Sequence, residues 1–83
     1  MKVRYFAWMK RTVGVAEEQV SPPADIATVG DLVKWLRTRS PGHAEALAEG
    51  AAFGAAVDQR TATFDVKLAG AREVAFFPPF TGG

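Results

Sequence analysis

The sequence has 83 residues, 48% of them hydrophobic and 23% charged, and its ten basic and nine acidic side chains leave a net charge of +1. This length fits one domain, and so small a charge argues against a nucleic-acid or membrane partner held by charge. Without a membrane-length apolar run or a recognisable signal peptide, we expect a cytoplasmic protein. The absence of cysteine excludes disulfides, zinc–thiolate sites, iron–sulfur clusters and a cysteine nucleophile. The single histidine, His43, argues against a Ser/His/Asp triad or a multi-histidine metal site.

The N-terminal quarter of the chain predicts a β-hairpin. Side chains alternate from residue 2 to residue 8 with the period of a half-buried strand. The two faces of this strand carry Val3, Tyr5 and Ala7 and, opposite them, Lys2, Arg4, Phe6 and Trp8. After a turn at residues 11–14, residues 15–20 predict the second strand. Glu17 and Glu18 are adjacent in that strand, so they point to opposite faces and form no carboxylate pair for acid–base chemistry.

The middle of the chain predicts two helices. Thr28 stands three residues before Asp31, which is the spacing of a capping box. One face of the helix that follows carries apolar residues at the i, i+3, i+4, i+7 spacing, namely Val29, Leu32, Val33 and Leu36. A second, short helix capped by Ser40 is expected to run to Gly50, and its inward residues are expected to be Ala44, Leu47 and Ala48. We expect His43, near its start, to be solvated or to act as a local cap.

The second half of the chain returns to strand patterns, with strands predicted at residues 52–57 and 73–77 and a short strand or extended piece at residues 62–66. In the last of these strands the alternation places Val74 and Phe76 on one face and Ala75 and Phe77 on the other. The element order β-β-α-(α)-β-β-β predicts an α+β fold, with a mixed sheet wrapped over one main helix. We expect residues 1–77 to form the domain and residues 78–83 to form an extended tail.

The last six residues carry the clearest chemical signal. Pro78 and Pro79 fix φ at about −65° and cannot donate to a sheet, so the chain is expected to leave the last strand in an extended form. Gly82 and Gly83 have no Cβ, which gives a narrow end that can thread a channel and present a carboxylate to another protein's active site. Taken alone, a Gly-Gly end more often indicates disorder. The apolar strand and the stiff proline spacer before it favour a function.

Residues 73–83, which read EVAFFPPFTGG, resemble the C-terminal signature of the small subunit of molybdopterin synthase, the MoaD-type sulfur carrier family. The rest of the chain is similar to that family in length and element order. Phe80 stands where the family commonly has valine or another small aliphatic residue. Residues 69–72, Ala-Gly-Ala-Arg, replace an Asp-Gly-Asp turn that is frequent in the family. Neither difference touches the reactive end.

The resemblance implies a ubiquitin-like β-grasp fold and a role as a co-substrate without catalytic side chains of its own. A ubiquitin-activating-enzyme-like partner would consume ATP to adenylate the Gly83 carboxylate, and sulfur would then replace the adenylate. The resulting thiocarboxylate would donate sulfur to cyclic pyranopterin monophosphate in the active site of the large subunit, within a heterotetramer of two small and two large subunits. Gly82 and Thr81 would thread into that site, and Pro78, Pro79 and Phe80 would dock. No cofactor is expected to be bound.

In a β-grasp sheet the first and last strands are central neighbours, so Phe6 and Phe77 are expected to lie near each other on the helix-free face. Exposed aromatics beside the tail indicate a partner-docking patch. The alternative is a covered pair that merely closes the sheet.

Three other functions stay open from the sequence. The chain could be a sulfur carrier for thiamin, cysteine or tRNA thiolation, although Phe-Phe-Pro-Pro before the tail favours the molybdopterin branch. It could be a protein modifier that is conjugated to lysines through Gly83. It could also be a β-grasp interaction domain with an inert tail.

Overall fold

A computed structural model of the protein describes residues 1–79, and Phe80, Thr81, Gly82 and Gly83 lie outside the described residues. Within residues 1–79, strands and helices follow in the order β1 (Lys2–Tyr5), α1 (Trp8–Val13), β2 (Glu17–Gln19), α2 (Val29–Leu36), α3 (Pro41–Ala46), β3 (Gly54–Val57), β4 (Arg60–Ala62) and β5 (Glu73–Phe77). None of the helices in that range is long and apolar enough to cross a membrane.

The five strands form one mixed sheet in the order β2-β1-β5-β3-β4. The central strands β1 and β5 run parallel, with Val3 beside Val74 and Tyr5 beside Phe76. The other three pairings are antiparallel. Helix α2 contributes to the same core as the central strands. The fold is therefore the α+β β-grasp that the sequence predicts, with β1 and β5 as central neighbours.

Strand alternation and the apolar stripe of α2 build the core together. Val3 and Tyr5 of β1, with Val74 and Phe76 of β5, are at most 1% exposed. The stripe of α2 is buried at all four predicted positions, Val29, Leu32, Val33 and Leu36. The predicted capping box is also confirmed. Thr28 Oγ1 accepts from the Asp31 amide at 3.1 Å, and Asp31 Oδ2 accepts from the Thr28 amide at 3.2 Å.

The predicted first strand is too long, because β1 ends at Tyr5 and helix α1 replaces both its last residues and the expected turn at 11–14. Ala7 has a φ of 55°, which breaks the strand and removes Trp8 from the predicted face. The helix is stabilised by tertiary packing. Met9 is fully buried, and Gly42 of α3 approaches the Thr12 carbonyl so closely that a Cβ would overlap it.

Two predictions for α3 were also wrong. The helix ends at Ala46 instead of Gly50, and Ala44 is exposed, whereas Leu47 is buried as predicted. His43 is 7% exposed and not solvated, because its ring has hydrogen-bonding partners inside the fold.

Of the short strand or extended piece predicted at 62–66, only Ala62 lies in a strand, because β4 spans Arg60–Ala62. The segment after it meets the start of α2 instead of pairing as a strand. The Phe64 carbonyl accepts from the Gly30 amide at 2.8 Å, and the Val66 carbonyl accepts from the Val29 amide at 3.0 Å. These carbonyls satisfy N–H groups that the first turn of a helix leaves unpaired, which explains why the segment departs from the sheet.

Candidate functional site

The two central strands end at the same edge of the sheet, and this places the predicted docking aromatics together at that edge. The Phe6 amide donates to the Phe76 carbonyl at 3.1 Å, immediately beyond the last β1–β5 pair. Phe6 therefore stands at the level of Phe77, the last residue of β5. Because β1 and β5 are parallel, the continuation of the chain after Phe77 leaves from this edge.

The sheet face away from α2 carries charge as well as aromatic surface. The Arg4 Cζ lies 5.0 Å from the centroid of the Phe6 ring, and its Nη1 lies 3.9 Å from Oε1 of Glu73. Phe6 is 39% exposed, and Phe77 is half-buried. We call Arg4, Phe6 and Phe77 the open-face patch. A cation held over an exposed aromatic ring is a composition that protein interfaces favour.

The chain beyond the patch continues its apolar surface. Pro78 is half-buried and Pro79 is exposed. The remaining predicted site residues, Phe80, Thr81, Gly82 and Gly83, lie outside the described residues. The described part of the site is thus a surface at the end of β5, beside Pro78 and Pro79.

On the core side of β1 lies a partly buried polar network that the sequence did not predict. Tyr5 donates its hydroxyl proton to Oε2 of Glu18 at 2.7 Å, and the same oxygen lies 2.7 Å from Nε2 of His43. Nδ1 of His43 is 2.7 Å from the Ser40 hydroxyl, which also accepts from the His43 amide. The network joins β1, β2 and α3. The available signal was the strand alternation, which turns Glu18 to the same face as its partner Val3.

The network is electrostatically asymmetric. Burial, together with the hydrogen bond to Glu18, raises the pKa of Tyr5 far above its ordinary value, so this phenol stays neutral. Burial alone would raise the pKa of Glu18, but hydrogen bonds from His43 and Tyr5 outweigh it and hold that pKa below its usual value. An ionised carboxylate with two donors stabilises the fold. Tyr5 is 1% and His43 7% exposed, and their hydrogen bonds tie β1, β2 and α3 together within the fold.

The lowered pKa of Glu18 gives stability a specific pH dependence. A carboxyl with a depressed pKa in the folded state adds stability above its unfolded pKa of 4.5 and loses it as pH falls through the folded value. Glu18→Gln keeps an acceptor for Tyr5 but does not titrate. We expect the wild type to be more stable than the variant near neutral pH, and the difference to shrink below pH 4.5. Thermal melts across pH measure this, and a constant difference would contradict it.

Within residues 1–79 the structure contains no cluster of three or more histidine, cysteine or acidic side chains that could hold a metal ion. What the described residues do place at the ends of β1 and β5 is an aromatic and cationic surface, the open-face patch.

Comparison with known proteins identifies the family. The family model described as the ThiS family matches residues 3–83. The chain belongs to the ThiS family. This ThiS-family protein is 41% identical over 83 residues to the molybdopterin synthase sulfur carrier subunit of Escherichia coli K12, an alignment that covers 100% of this chain and 99% of the relative.

Solved structures of similar proteins agree with the β-grasp fold. SAMP1 from Haloferax volcanii superposes on this ThiS-family protein with a TM-score of 0.75 and 26% identity, over 100% of this chain and 98% of that one. The putative molybdopterin converting factor subunit 1 from Pyrococcus furiosus gives a TM-score of 0.73 and 29% identity, over 95% of each chain. Both matches extend over nearly the whole length, so the ubiquitin-like β-grasp fold is that of the entire domain.

Proposed function

We propose that this ThiS-family protein is the sulfur-carrier subunit of a molybdopterin synthase. The observation that carries the proposal is the 41% identity to the E. coli sulfur carrier subunit over the full length of both chains. The similarity to the Pyrococcus molybdopterin converting factor supports it. The family match reaches Gly83, the residue to which the proposal assigns the reactive carboxyl group.

The chemistry of a terminal carboxyl explains the order of steps in this proposal. A carboxylate with a pKa of about 3.5 is an anion at neutral pH and a poor electrophile. A ubiquitin-activating-enzyme-like partner joins the Gly83 carboxylate to AMP from ATP and releases pyrophosphate. A sulfide-level sulfur nucleophile then forms the C–S bond while the C–O bond to AMP breaks. Because the chain has no cysteine, it cannot carry a persulfide on its own side chains.

The thiocarboxylate then serves as co-substrate in the large subunit. There it donates sulfur to cyclic pyranopterin monophosphate, and the catalytic side chains belong to the large subunit. This protein binds no cofactor in the proposal, and the ATP is consumed by the activating partner. We place it in the cytoplasm, where ATP is available, in a heterotetramer of two small and two large subunits.

The open-face patch is the proposed docking surface for the large subunit, with Pro78 and Pro79 guiding the chain from that surface to the active site. Phe6 contributes exposed ring surface and Arg4 a cation held above it. Phe77 joins them at the end of β5. Phe80 is proposed to add to the contact.

Removing an aromatic ring from the patch should weaken the complex. We expect Phe6→Ala or Phe77→Ala to cost about 1–3 kcal/mol of binding free energy to the large subunit, because buried aromatic anchors dominate interface energetics. Isothermal titration against the large subunit measures the affinity, and a thermal melt measures the fold.

Phe64→Ala is the matched control for this pair. Phe64 is 46% exposed, and the centroid of its ring lies 5.6 Å from that of Phe53. It stands beside the start of α2 and not on the open face. The Phe64→Ala variant should bind the large subunit with the affinity of the wild type. A loss of affinity in Phe6→Ala or Phe77→Ala that merely tracks loss of fold stability would instead indicate a covered pair that closes the sheet.

Intact-mass measurement after co-expression with the activating enzyme tests the proposed function. A mass gain equal to sulfur replacing one oxygen indicates a carrier, conjugates to other proteins indicate a modifier, and an unchanged mass indicates an inert tail. Adding the large subunit and cyclic pyranopterin monophosphate to the loaded protein then identifies the pathway. Formation of molybdopterin supports the proposal, whereas a thiocarboxylate that yields none points to thiamin, cysteine or tRNA thiolation.

A further inference from the structure

Gly54, the first residue of β3, is in contact with the ring of Phe77. The two residues are directly paired across the antiparallel β3–β5 ladder, so their side-chain positions share the open face. An ideal Cβ on Gly54 would stand 2.5 Å from Cε1, 3.0 Å from Cζ and 3.2 Å from Cδ1 of the Phe77 ring. Real Cβ atoms do not approach a neighbour so closely. The ring therefore lies across space that any other residue at position 54 would fill.

Space, and not backbone conformation, is what requires glycine here. The described glycines with positive φ are Gly14, Gly50 and Gly70, at 102°, 85° and 77°, and Gly54 is not among them. An L-residue could adopt the Gly54 backbone without strain. The three nearest atoms to its missing Cβ all belong to the Phe77 ring, so that ring is what a side chain at position 54 would meet first.

A glycine at a strand position normally weakens the strand, because it adds unfolded-state entropy and has no side chain to pack. An aromatic ring laid across a paired glycine is a known means of covering such a position. Here the ring that covers Gly54 is also one of the two aromatic members of the open-face patch. Holding it in one place before the partner arrives reduces the ordering cost of binding.

We propose that Gly54 is a positioning residue for the Phe77 anchor: by leaving its side-chain space empty, it lets the ring lie across position 54 in the orientation that the large subunit recognises. This inference rests on the proposed docking function. It adds a specificity-determining residue that makes no direct contribution to the tail chemistry.

Gly54→Ala tests the role, because the added methyl group displaces the far end of a side chain and leaves the backbone in place. We expect the melting temperature to be unchanged or slightly raised, since alanine has less unfolded-state entropy. Affinity for the large subunit should fall about tenfold, a typical loss for a displaced anchor. In a Phe77→Ala background the same change should have no further effect on affinity.

Ring position has its own readout, which does not depend on binding. In the wild type the Gly54 Hα protons should show a ring-current NMR shift from Phe77, and Phe77→Ala should abolish it. Normal affinity of Gly54→Ala with weak binding by Phe77→Ala overturns the positioning role alone. The positioning role is also overturned if Gly54→Ala lowers the affinity for the large subunit by the same factor in the Phe77→Ala background as in the wild type. Normal affinity of Phe77→Ala defeats the docking proposal, and the positioning inference with it.

Discussion

Deleting Gly83, or adding one residue after it, is expected to reduce sulfur transfer to background while leaving the fold intact. In the proposed mechanism the reactive group is the carboxyl carbon of Gly83, and no side chain substitutes for it. Deletion moves the carboxyl group back by one residue, and addition converts it into an amide. Both changes remove the carboxylate from the place where the activating enzyme must adenylate it. A misplacement of even one residue length far exceeds the ångström-scale tolerance of catalytic geometry.

The measurement is molybdopterin formation with the activating enzyme and the large subunit, beside a thermal melt of each variant. The melt should be unchanged, because within residues 1–79 the last buried core residue is Phe76 in β5. Affinity of the unloaded variants for the large subunit should also stay close to that of the wild type, since the open-face patch is untouched. Molybdopterin formation by the deletion variant at the wild-type rate would refute the assignment of Gly83.

Elements with local determinants could be predicted from the sequence. The capping box of Thr28 and Asp31, the apolar stripe of α2 and the bounds of β5 all depend on residues within a few positions of one another. Helix α1 could not be predicted, because its packing depends on Gly42 and on burial of Met9. Such tertiary contacts override the alternation that extends the predicted strand to residue 8.

The same reasoning applies to the site. Alternation predicts that the segments holding Phe6 and Phe77 are strands, but their position as central neighbours followed only from the resemblance to a β-grasp family. The partnership of Glu18 with His43 joins residues 25 apart, and one sequence contains no signal for it beyond the face to which Glu18 points. The contact between Gly54 and the Phe77 ring arises from three-dimensional packing. A glycine in a strand pattern indicates close approach, but it does not identify the approaching ring.

Gly82→Val is expected to impair adenylation and sulfur transfer on the order of a hundredfold, whereas Thr81→Ala should have a much smaller effect. The proposed mechanism requires the same tail end to enter two active sites, in the activating enzyme and in the large subunit. A Gly-Gly end has the narrowest cross-section that a peptide can have. Valine at position 82 adds a β-branched side chain at a point where both active sites would accommodate only a residue without one. Gly82→Ala adds one methyl group and should be intermediate. Thr81→Ala removes polar bulk and leaves the Gly-Gly end unchanged.

Single-turnover transfer, measured beside a binding titration for each variant, separates threading from docking. All three variants should retain affinity for the large subunit within a few-fold, because Arg4, Phe6 and Phe77 are unchanged. The transfer rate should fall in the order Thr81→Ala, Gly82→Ala, Gly82→Val, so that the loss follows added width and not loss of contact. The titration also serves as the control, since a variant that binds normally yet fails to transfer has a defect beyond docking. Unimpaired turnover of Gly82→Val would mean that neither active site is narrow at this position, and the requirement for glycine would then reside in Gly83 alone.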